Sequence, residues 1–395
     1  MKDKNNGLFV YKIIVINVVT CLILLLFFSL SVEIYARIKG VFKGYEFSIG
    51  FDPYSIYRGV PFDGQQDSVI VYDGNEYKNN NLGIRKSTDT SIKKNKNIFR
   101  IIIGGGSGAW GLGVSNNQTL SYFLEEKLNE RYGNSKISFE VLNLAAPGYY
   151  STHNFLRYNS FGQHLSPDML ILMDGYNDWL RKETLLKKYT SFQYGKNYIW
   201  PLTDRSLLST WMLVARNLGQ YSVAFDKYYR GRIHGLLNTG KIGNDGKLYF
   251  VKLQEEKEGL DKEPTEDFET VFKKSVMKTY STLGYMTKEN GTDFIIALQP
   301  IMSMRDKEDL APSELELYEK HKSPLAKILH KKLNRFMPVE AQKIGATYID
   351  INENIKKPEF KVLKDYCHLT PEGNNLTAEI FLREISPIIE KRLAL

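Results

Sequence analysis

From Ile98 onward, short apolar runs alternate with longer segments whose apolar residues recur at helical spacing. Short runs of β-branched and aliphatic residues predict buried strands, and apolar residues three or four positions apart predict amphipathic helices. The predicted strands are Ile98–Gly104, Phe139–Leu144, Met169–Met173, Thr292–Leu298 and Ala346–Ile351. The predicted helices are Thr119–Tyr132, Thr152–Gln163, Phe268–Glu289, Leu325–Ile344 and Pro371–Lys391. This alternation predicts a parallel sheet with helices on both faces.

A glycine-rich stretch, IIIGGGSGAWGLG, follows the first predicted strand and precedes the first predicted helix. Its glycines let the chain turn sharply and approach a ligand closely. Ser107, at the bend, is expected at the carboxyl edge of the sheet, where open α/β sheets bind ligands. The turn fits a dinucleotide-binding loop, through a lone GxGxxG match, or a nucleophile turn that presents a serine hydroxyl, or a tight connection without chemistry. A phosphate loop is disfavoured because no Gly-Lys-Ser/Thr follows.

The N-terminal region contains one uncharged apolar run, Ile13–Val32, whose length of about twenty residues suffices to cross a bilayer as a helix. We predict an uncleaved anchor. A cleaved signal peptide is the alternative, and Ser29-Leu30-Ser31 offers it a weak cleavage site. Basic residues flank both ends of the run about equally, so charge does not determine the orientation. An N-terminal anchor before a long soluble domain favours export of that domain.

Composition and charge narrow the classes of function. The chain has 395 residues, 43% of them hydrophobic, and a formal net charge of +8. The lysines are scattered apart from a patch at residues 93–96, and no nucleic-acid-binding motif accompanies them, which disfavours nucleic acid as a partner. The two cysteines, Cys21 and Cys367, are too few for a cysteine-ligated zinc site. Because Cys21 lies in the predicted span, no internal disulfide is expected.

Three further polar stretches follow the strands or precede the last helix. The second strand ends in NLAAPGYYS, which contains Gly148, and the third ends in MDGYNDW, which contains Asn177. The loop before the last helix reads DYCHLTPEGN, with Asp365 and His368 three residues apart. Since the carboxyl ends of parallel strands share one edge of the sheet, these residues are expected to converge on Ser107.

These four stretches resemble the conserved blocks of the SGNH hydrolases, also called the GDSL esterase/lipase superfamily. The four residues of that name correspond to Ser107, Gly148, Asn177 and His368, and the resemblance covers Ile98 to Arg392 apart from an insertion. The segment NLGIR, which ends at Arg85, is similar to one that precedes the serine block in membrane-anchored bacterial members. One position departs from the GDS signature, because Gly106 stands where the signature has aspartate.

The resemblance implies a set of roles that suits the residue types. Ser107 would be the nucleophile, His368 the base that activates it, and Asp365 the group that orients the imidazole. The backbone N–H groups of Ser107 and Gly148 and the side-chain amide of Asn177 would form the oxyanion hole. No cofactor and no metal is implied. We assign no role to the remaining histidines, which are His153, His164, His234, His321 and His330. The aspartates near the strand ends, which are Asp174, Asp178 and Asp350, match no metal-ligand spacing.

The predicted organisation has three parts: a membrane anchor at residues 1–37, an irregular arm at 38–97, and an SGNH hydrolase domain at 98–395 with an insertion at about 179–285. The predicted fold class is α/β: a flavodoxin-like, doubly wound, parallel five-stranded sheet with helices on both faces, preceded by one transmembrane helix.

The expected function is a membrane-anchored serine esterase or O-acyltransferase that acts on acyl esters of cell-envelope glycans, with acetyl as the expected acyl group. The domain is expected outside the cytoplasm, in the periplasm or the extracellular space, with a membrane acyl-donor protein as a possible partner. One alternative is a catalytically silent polysaccharide assembly or binding protein. Another is a dinucleotide-dependent oxidoreductase, which is disfavoured because the second strand does not end in an acidic residue.

Overall fold

The structure is a computed structural model of the chain, and it describes residues 2–38, 49–52, 56–59, 69–72, 74–134, 136–180, 214, 222, 224, 240–242, 248–250 and 268–394. The chain divides into two compact units, one comprising Met1–Gly44 with Pro201–Phe250 and the other Tyr45–Trp200 with Val251–Leu395. Most of the predicted insertion lies outside the described residues, and the predicted domain boundaries remain a prediction.

The described strands, in chain order, are β1 (Ile49–Asp52), β2 (Ile56–Gly59), β3 (Val69–Tyr72), β4 (Asn75–Lys78), β5 (Ile98–Gly105), β6 (Ser138–Asn143), β7 (Met169–Asp174), β8 (Gly240–Ile242), β9 (Leu248–Phe250), β10 (Asp293–Leu298) and β11 (Ala346–Asp350). The described α-helices are α1 (Lys2–Ile38), α2 (Ser107–Trp110), α3 (Leu120–Tyr132), α4 (Ser151–Ser160), α5 (Phe268–Lys274), α6 (Val276–Glu289), α7 (Leu315–His321), α8 (Pro324–Lys343), α9 (Ile351–Asn354) and α10 (Pro371–Leu393). A π-helical turn spans Tyr176–Leu180, and short 3₁₀ turns span Asn116–Gln118, Gly162–Leu165, Met302–Met304, Lys307–Asp309 and Pro312–Glu314.

The first unit contains α1 and the antiparallel pair β8–β9. Within α1, Tyr11–Ala36 is long and apolar enough to cross a membrane, with a mean hydropathy of 2.9. Near the end of the helix, the Glu33 carboxylate accepts hydrogen bonds from Ser222 Oγ (2.8 Å) and from the backbone N–H of Ala224 (3.0 Å). These bonds tie the C-terminal end of α1 to a later segment of the chain.

The second unit is built on a sheet in which, within the described residues, five parallel strands lie in the order β6-β5-β7-β10-β11. This order confirms the predicted flavodoxin-like, doubly wound sheet. The direction in which the strands are added reverses between β5 and β7, and ligands bind at such a switch point beyond the carboxyl ends of the strands. Ser107 lies two residues after the end of β5, and Asn177 lies three residues after the end of β7.

Both faces of the sheet are covered, because the buried strands direct alternate side chains to opposite sides. Ile101 and Ile103 pack in one core with residues of α3 and α10, among them Leu124. Ile102 packs in the other core, with residues of α4, α6 and α8 such as Leu333. The five predicted strands are confirmed, and each observed end lies within one residue of the predicted end.

One predicted helix is wrong in its continuity. The prediction of a single helix over Phe268–Glu289 fails at Ser275, whose φ of −116° and ψ of −83° lie outside the helical region. The break gives the two halves different packing partners. The ring of Phe272 in α5 contacts Phe336 of α8 at a centroid distance of 5.6 Å, whereas α6 packs on α4 and the sheet.

Candidate active site

The site begins with the turn that carries Ser107. β5 ends at Gly105, Gly106 has an extended backbone (φ −87°, ψ −156°), and Ser107 is the first residue of the short helix α2. The N–H of Trp110 donates to Gly106 O (2.9 Å), which closes the first turn of that helix. The strand–turn–helix order therefore leaves Ser107 at the carboxyl edge of the sheet, where the sequence pattern predicts it.

Three predicted residues meet in direct hydrogen bonds. His368 Nε2 lies 2.8 Å from Ser107 Oγ, and His368 Nδ1 lies 2.7 Å from Asp365 Oδ2. The other oxygen of Asp365 accepts the backbone N–H groups of Cys367 (3.0 Å) and His368 (2.9 Å). The loop before α10 thus folds around its own aspartate and brings the imidazole to a serine 261 positions earlier in the chain.

The surroundings of Asp365 favour its ionised form. Burial by itself would raise the pKa of Asp365, but the hydrogen bonds and charge of His368 and the two backbone N–H groups outweigh it and lower the pKa. Asp365 is therefore ionised at neutral pH and can accept a hydrogen bond from an Nδ1–H group of His368. In the tautomer that carries its proton on Nδ1, the ring has its lone pair on Nε2, the atom that faces the hydroxyl of Ser107.

Gly148 lies in the turn Ala146–Tyr149, which follows β6. The N–H of Tyr149 donates to Ala146 O (3.1 Å), and Gly148 has a φ of +79°, a conformation that glycine adopts without steric cost. The N–H of Ala146 donates to Gly105 O (3.3 Å). The turn is therefore fastened to the residue that lies two positions before Ser107.

Asn177 lies in the π-helical turn after β7 and is buried, with 9% of its surface exposed. Its Nδ2 donates to Tyr149 O (2.9 Å), so the side chain binds the Gly148 turn. An amide nitrogen carries two hydrogens, which leaves a second one for another acceptor. The same Nδ2 lies 2.6 Å from the position of a Cβ built on Gly106, so the amide is adjacent to the serine turn as well.

Two buried carboxyl groups next to these loops accept hydrogen bonds from α4 and α6. Asp178 accepts the backbone N–H (2.9 Å) and the hydroxyl (2.8 Å) of Ser151 at the start of α4. Asp174 accepts Asn154 Nδ2 (2.7 Å) and the hydroxyl of Tyr280 (2.9 Å). Burial raises the pKa of Asp178 to about 6, and burial together with the nearby Asp178 raises the pKa of Asp174 well above its usual value.

This network reaches the serine turn through Asn154, whose Oδ1 accepts the N–H of Gly105 (3.0 Å). Neither Asn154 nor Tyr280 was predicted from the sequence. The available signal for Tyr280 was its position on the apolar face of α6, because a buried tyrosine hydroxyl requires a hydrogen-bond partner. Nothing in the sequence indicated that the partner would be Asp174.

Arg85, at the end of the NLGIR segment, binds the chain on the other side of Ser107. It is buried, and its guanidinium donates to the carbonyl groups of Trp110 (2.9 Å), Gly111 (2.7 Å) and Val114 (2.5 Å). The guanidinium also contacts the stacked rings of Tyr77 and Trp110, with its central carbon 4.4 Å and 4.3 Å from their centroids. Burial lowers its pKa to about 9. The arm thereby holds the loop that follows α2.

Among the described residues, His153, His330 and Asp350 make hydrogen bonds that stabilise the fold. His153 Nδ1 accepts the N–H of Tyr150 (3.2 Å), and burial lowers the pKa of His153 to about 3. His330 Nε2 lies 2.5 Å from Asp350 Oδ2. The potential metal-ligand atoms of His330, Asp350 and Glu353 lie within 4.8 Å of one another. Asp350 also caps α9, because its carboxylate accepts a hydrogen bond from the N–H of Asn352. This cluster ties α8 to the end of β11, and we assign it no ion.

Comparisons with known proteins concern the fold. No family model and no curated protein sequence matches this chain. The structure is similar to that of Axe2, an acetylxylan esterase from Geobacillus stearothermophilus, with a TM-score of 0.39 and 13% identity over 72% of this chain and 93% of that chain. It is also similar to TesA, with a TM-score of 0.38 and 10% identity over 73% and 98% of the two chains. A third similar structure is a GDSL-like lipase from Bacteroides thetaiotaomicron VPI-5482, with a TM-score of 0.35 and 12% identity over 76% and 93%. At these values the roles of residues in this chain rest on its own geometry.

Proposed function

We propose that this protein is a membrane-anchored serine esterase or O-acyltransferase that acts on acyl esters of cell-envelope glycans through an acyl-serine intermediate. The observation that carries the proposal is the continuous set of hydrogen bonds from Ser107 through His368 to Asp365, with heavy-atom distances of 2.8 Å and 2.7 Å. A serine hydroxyl is a weak nucleophile until an adjacent base removes its proton. His368, held by an ionised Asp365, is such a base.

In the first half of the reaction, Ser107 Oγ attacks the ester carbonyl carbon while its proton passes to His368 Nε2. The carbonyl oxygen becomes an oxyanion, and the proposed donors to it are the N–H groups of Ser107 and Gly148 and the amide of Asn177. Collapse of the tetrahedral intermediate breaks the bond to the alcohol oxygen, which takes the proton from His368. The acyl group remains on Ser107.

In the second half, water or an acceptor hydroxyl attacks the acyl-serine, and His368 accepts the proton and returns it to Ser107 Oγ. Water as acceptor gives hydrolysis, and a sugar hydroxyl gives transfer. In the transfer reaction a membrane acyl-donor protein is the expected partner. Acetyl is the expected acyl group.

Membrane attachment is supported by α1. Its large apolar side chains are exposed, among them Leu26 and Phe28 at 69% each. The hydroxyl groups of Ser29 and Ser31 donate to Leu25 O and Phe27 O (both 2.8 Å), which satisfies these polar groups within the helix. We propose that α1 is a single membrane span with the catalytic domain outside the cytoplasm, which brings envelope glycans within reach.

A fluorophosphonate probe tests the catalytic proposal, because it phosphonylates only an activated serine. The full chain in detergent should be labelled, Ser107→Ala should not be labelled, and Ser313→Ala, a change at an exposed serine, should be labelled like the wild type. Absence of labelling in the wild type would favour a silent assembly or binding protein. Mass spectrometry of envelope glycans from cells with the wild type or Ser107→Ala then identifies the acyl group, and shows whether it is removed or added.

Fusions of alkaline phosphatase and green fluorescent protein to the C-terminus test the location. We expect an active phosphatase and no fluorescence. The opposite result would place the domain in the cytoplasm and exclude envelope glycans as substrates.

A further inference from the structure

Three aromatic rings lie in a continuous group beside His368. The ring of Tyr366 lies 5.9 Å from the imidazole of His368, between centroids, and its plane is tilted by 58°. The rings of Tyr176 and His321 contact Tyr366 at 4.7 Å and 5.7 Å. All three side chains are partly exposed. We call Tyr176, His321 and Tyr366 the aromatic surface.

The aromatic surface is assembled from three loops that are distant in the sequence. Tyr366 lies inside the Asp365–His368 loop, Tyr176 immediately precedes Asn177, and His321 ends α7. Two of its members are thus covalently next to residues of the proposed catalytic machinery. A ligand in contact with these rings would lie within reach of Ser107.

The chemistry of ester cleavage decides which part of the substrate meets the surface, if the proposed function holds. His368 must give its proton to the oxygen of the departing alcohol, so that alcohol lies on the histidine side of Ser107. The oxyanion lies instead toward Asn177 and Gly148. Tyr366, the ring next to His368, is therefore on the alcohol side, and the rings of Tyr176 and His321 contact it there.

The surface has the character of a sugar-binding site. Tyrosine and histidine rings offer flat apolar faces with polar edges, and their few rotatable bonds make contact inexpensive in conformational entropy. Burial, followed by the charge of Lys320, lowers the pKa of His321, so this ring is uncharged at neutral pH. The C–H face of a pyranose packs on such uncharged rings, while its hydroxyl groups reach their polar edges.

We propose that the aromatic surface binds the sugar ring whose hydroxyl carries the ester. This inference rests on the proposed function and adds to it the residues that select a glycan as the alcohol part of the substrate.

Two acetyl esters that differ only in the alcohol part test the inference in the full chain in detergent. One is the tetraacetate of methyl β-glucopyranoside, and the other is trifluoroethyl acetate, whose alcohol has no ring. For Tyr366→Ala and Tyr176→Ala, kcat/KM for the sugar ester should fall by about tenfold, the equivalent of one good aromatic contact. Hydrolysis of trifluoroethyl acetate should change little. Tyr366→Phe should keep the sugar activity, because the ring remains.

The control is Tyr285→Ala, a change at a tyrosine of α6 that is 68% exposed, and it should leave both activities unchanged. An equal loss on both esters would mean that the rings only support His368 and would overturn the inference. No loss on either ester would overturn it as well, as would a loss that follows acyl length when acetyl and butyryl esters of the same sugar are compared.

Failure of the proposed function and failure of the sugar site give different experimental results. If the wild type cleaves neither ester and takes no fluorophosphonate label, the proposed function fails and the inference fails with it. If the wild type cleaves trifluoroethyl acetate with a dependence on Ser107 but the ring variants show no selective loss, the esterase stands and the sugar site is rejected. Binding of the tetraacetate to Ser107→Ala, measured by saturation-transfer NMR, should weaken when Tyr366→Ala is added, which is independent of turnover.

Discussion

A Cβ atom on Gly106 would lie 2.6 Å from the Nδ2 atom of Asn177, closer than real Cβ atoms approach such an atom. Asn177 holds this place because the same nitrogen donates to Tyr149 O at 2.9 Å. The residue before the proposed nucleophile is therefore sterically coupled to a proposed oxyanion donor. Because glycine has no Cβ, position 106 leaves space for the side-chain amide of Asn177.

Gly106→Ala should displace the Asn177 amide and lower kcat. An oxyanion donor is worth about 10²–10³ in rate, and we expect a loss of this order when the amide is moved. Steady-state kinetics on a small acetyl ester measures it. Because both changes would act through one amide, Gly106→Ala should add little to Asn177→Ala in the double variant. Multiplicative losses would show that the two residues act independently.

Asn177→Ala separates a catalytic role from a structural one. As an oxyanion donor, the amide interacts more strongly with the transition state than with the substrate, so kcat should fall by about 10²–10³ while KM stays nearly constant. Asn177→Asp should be at least as damaging, since a carboxylate repels the developing negative charge. Loss of the bond to Tyr149 O should lower the melting temperature only modestly. A normal kcat with a clearly lower melting temperature would contradict the role.

His368→Ala and Ser107→Ala should each abolish turnover, and the double variant should be no worse than either, because the two residues act as a unit. Asp365→Asn should be less severe, since the nucleophile and base remain and only the orientation and charge stabilisation of the imidazole are lost. Initial rates with a small acetyl ester measure all four variants. Near-wild-type activity of either single alanine variant would refute the triad.

Arg85→Lys tests whether the arm stabilises the loop after α2. Lysine keeps the charge but lacks the planar fork that reaches several carbonyl groups at once. Hydrogen bonds of a charged group contribute about 1.5–3 kcal/mol each, so the free energy of unfolding should fall by about 3 kcal/mol. Denaturant titration of the full chain in detergent measures it. The control is Arg131→Lys at a half-exposed side chain, which should change stability little; equal effects would contradict a specific role of Arg85.

Asp178→Asn should flatten the dependence of stability on pH. The carboxyl has a pKa of about 6 in the folded state, above its usual 3.8, because it is buried. The folded protein therefore binds more protons than the unfolded chain between about pH 4 and 6, and the free energy of unfolding falls as the pH rises through that range. The contribution is complete below the unfolded pKa and lost above the folded one.

Asparagine does not titrate, so the variant lacks this dependence on pH. From acidic to neutral pH, the melting temperature of the wild type should therefore fall relative to that of Asp178→Asn. Thermal unfolding at several pH values measures this difference. Because Asp174 lies in the same buried network, the slope that disappears belongs to the pair. A difference that stays constant with pH would show that Asp178 titrates normally.

The sequence by itself determined the order and type of the core elements. Uninterrupted apolar runs such as MLILM in β7 and the regular apolar spacing in α3 are local properties, because a residue's side of a strand or helix follows from its position along the chain. The same reasoning located Ser107 and Asn177 after β5 and β7. It did not detect the break at Ser275, because the apolar spacing continues across it and the different packing partners of the two halves, such as Phe336 for Phe272, lie far away in the sequence.

The geometry of contacts between distant segments was decided only by the tertiary structure. The family resemblance implied the pairing of His368 with Ser107, but their hydrogen bond spans 261 positions; the bond of Tyr280 to Asp174, which spans 106, was not predicted. Nothing local to either partner encodes such a distance, since it depends on the relative placement of strands and helices. The same holds for the aromatic surface, where Tyr176 and Tyr366, 190 positions apart in the sequence, come into contact at 4.7 Å between ring centroids.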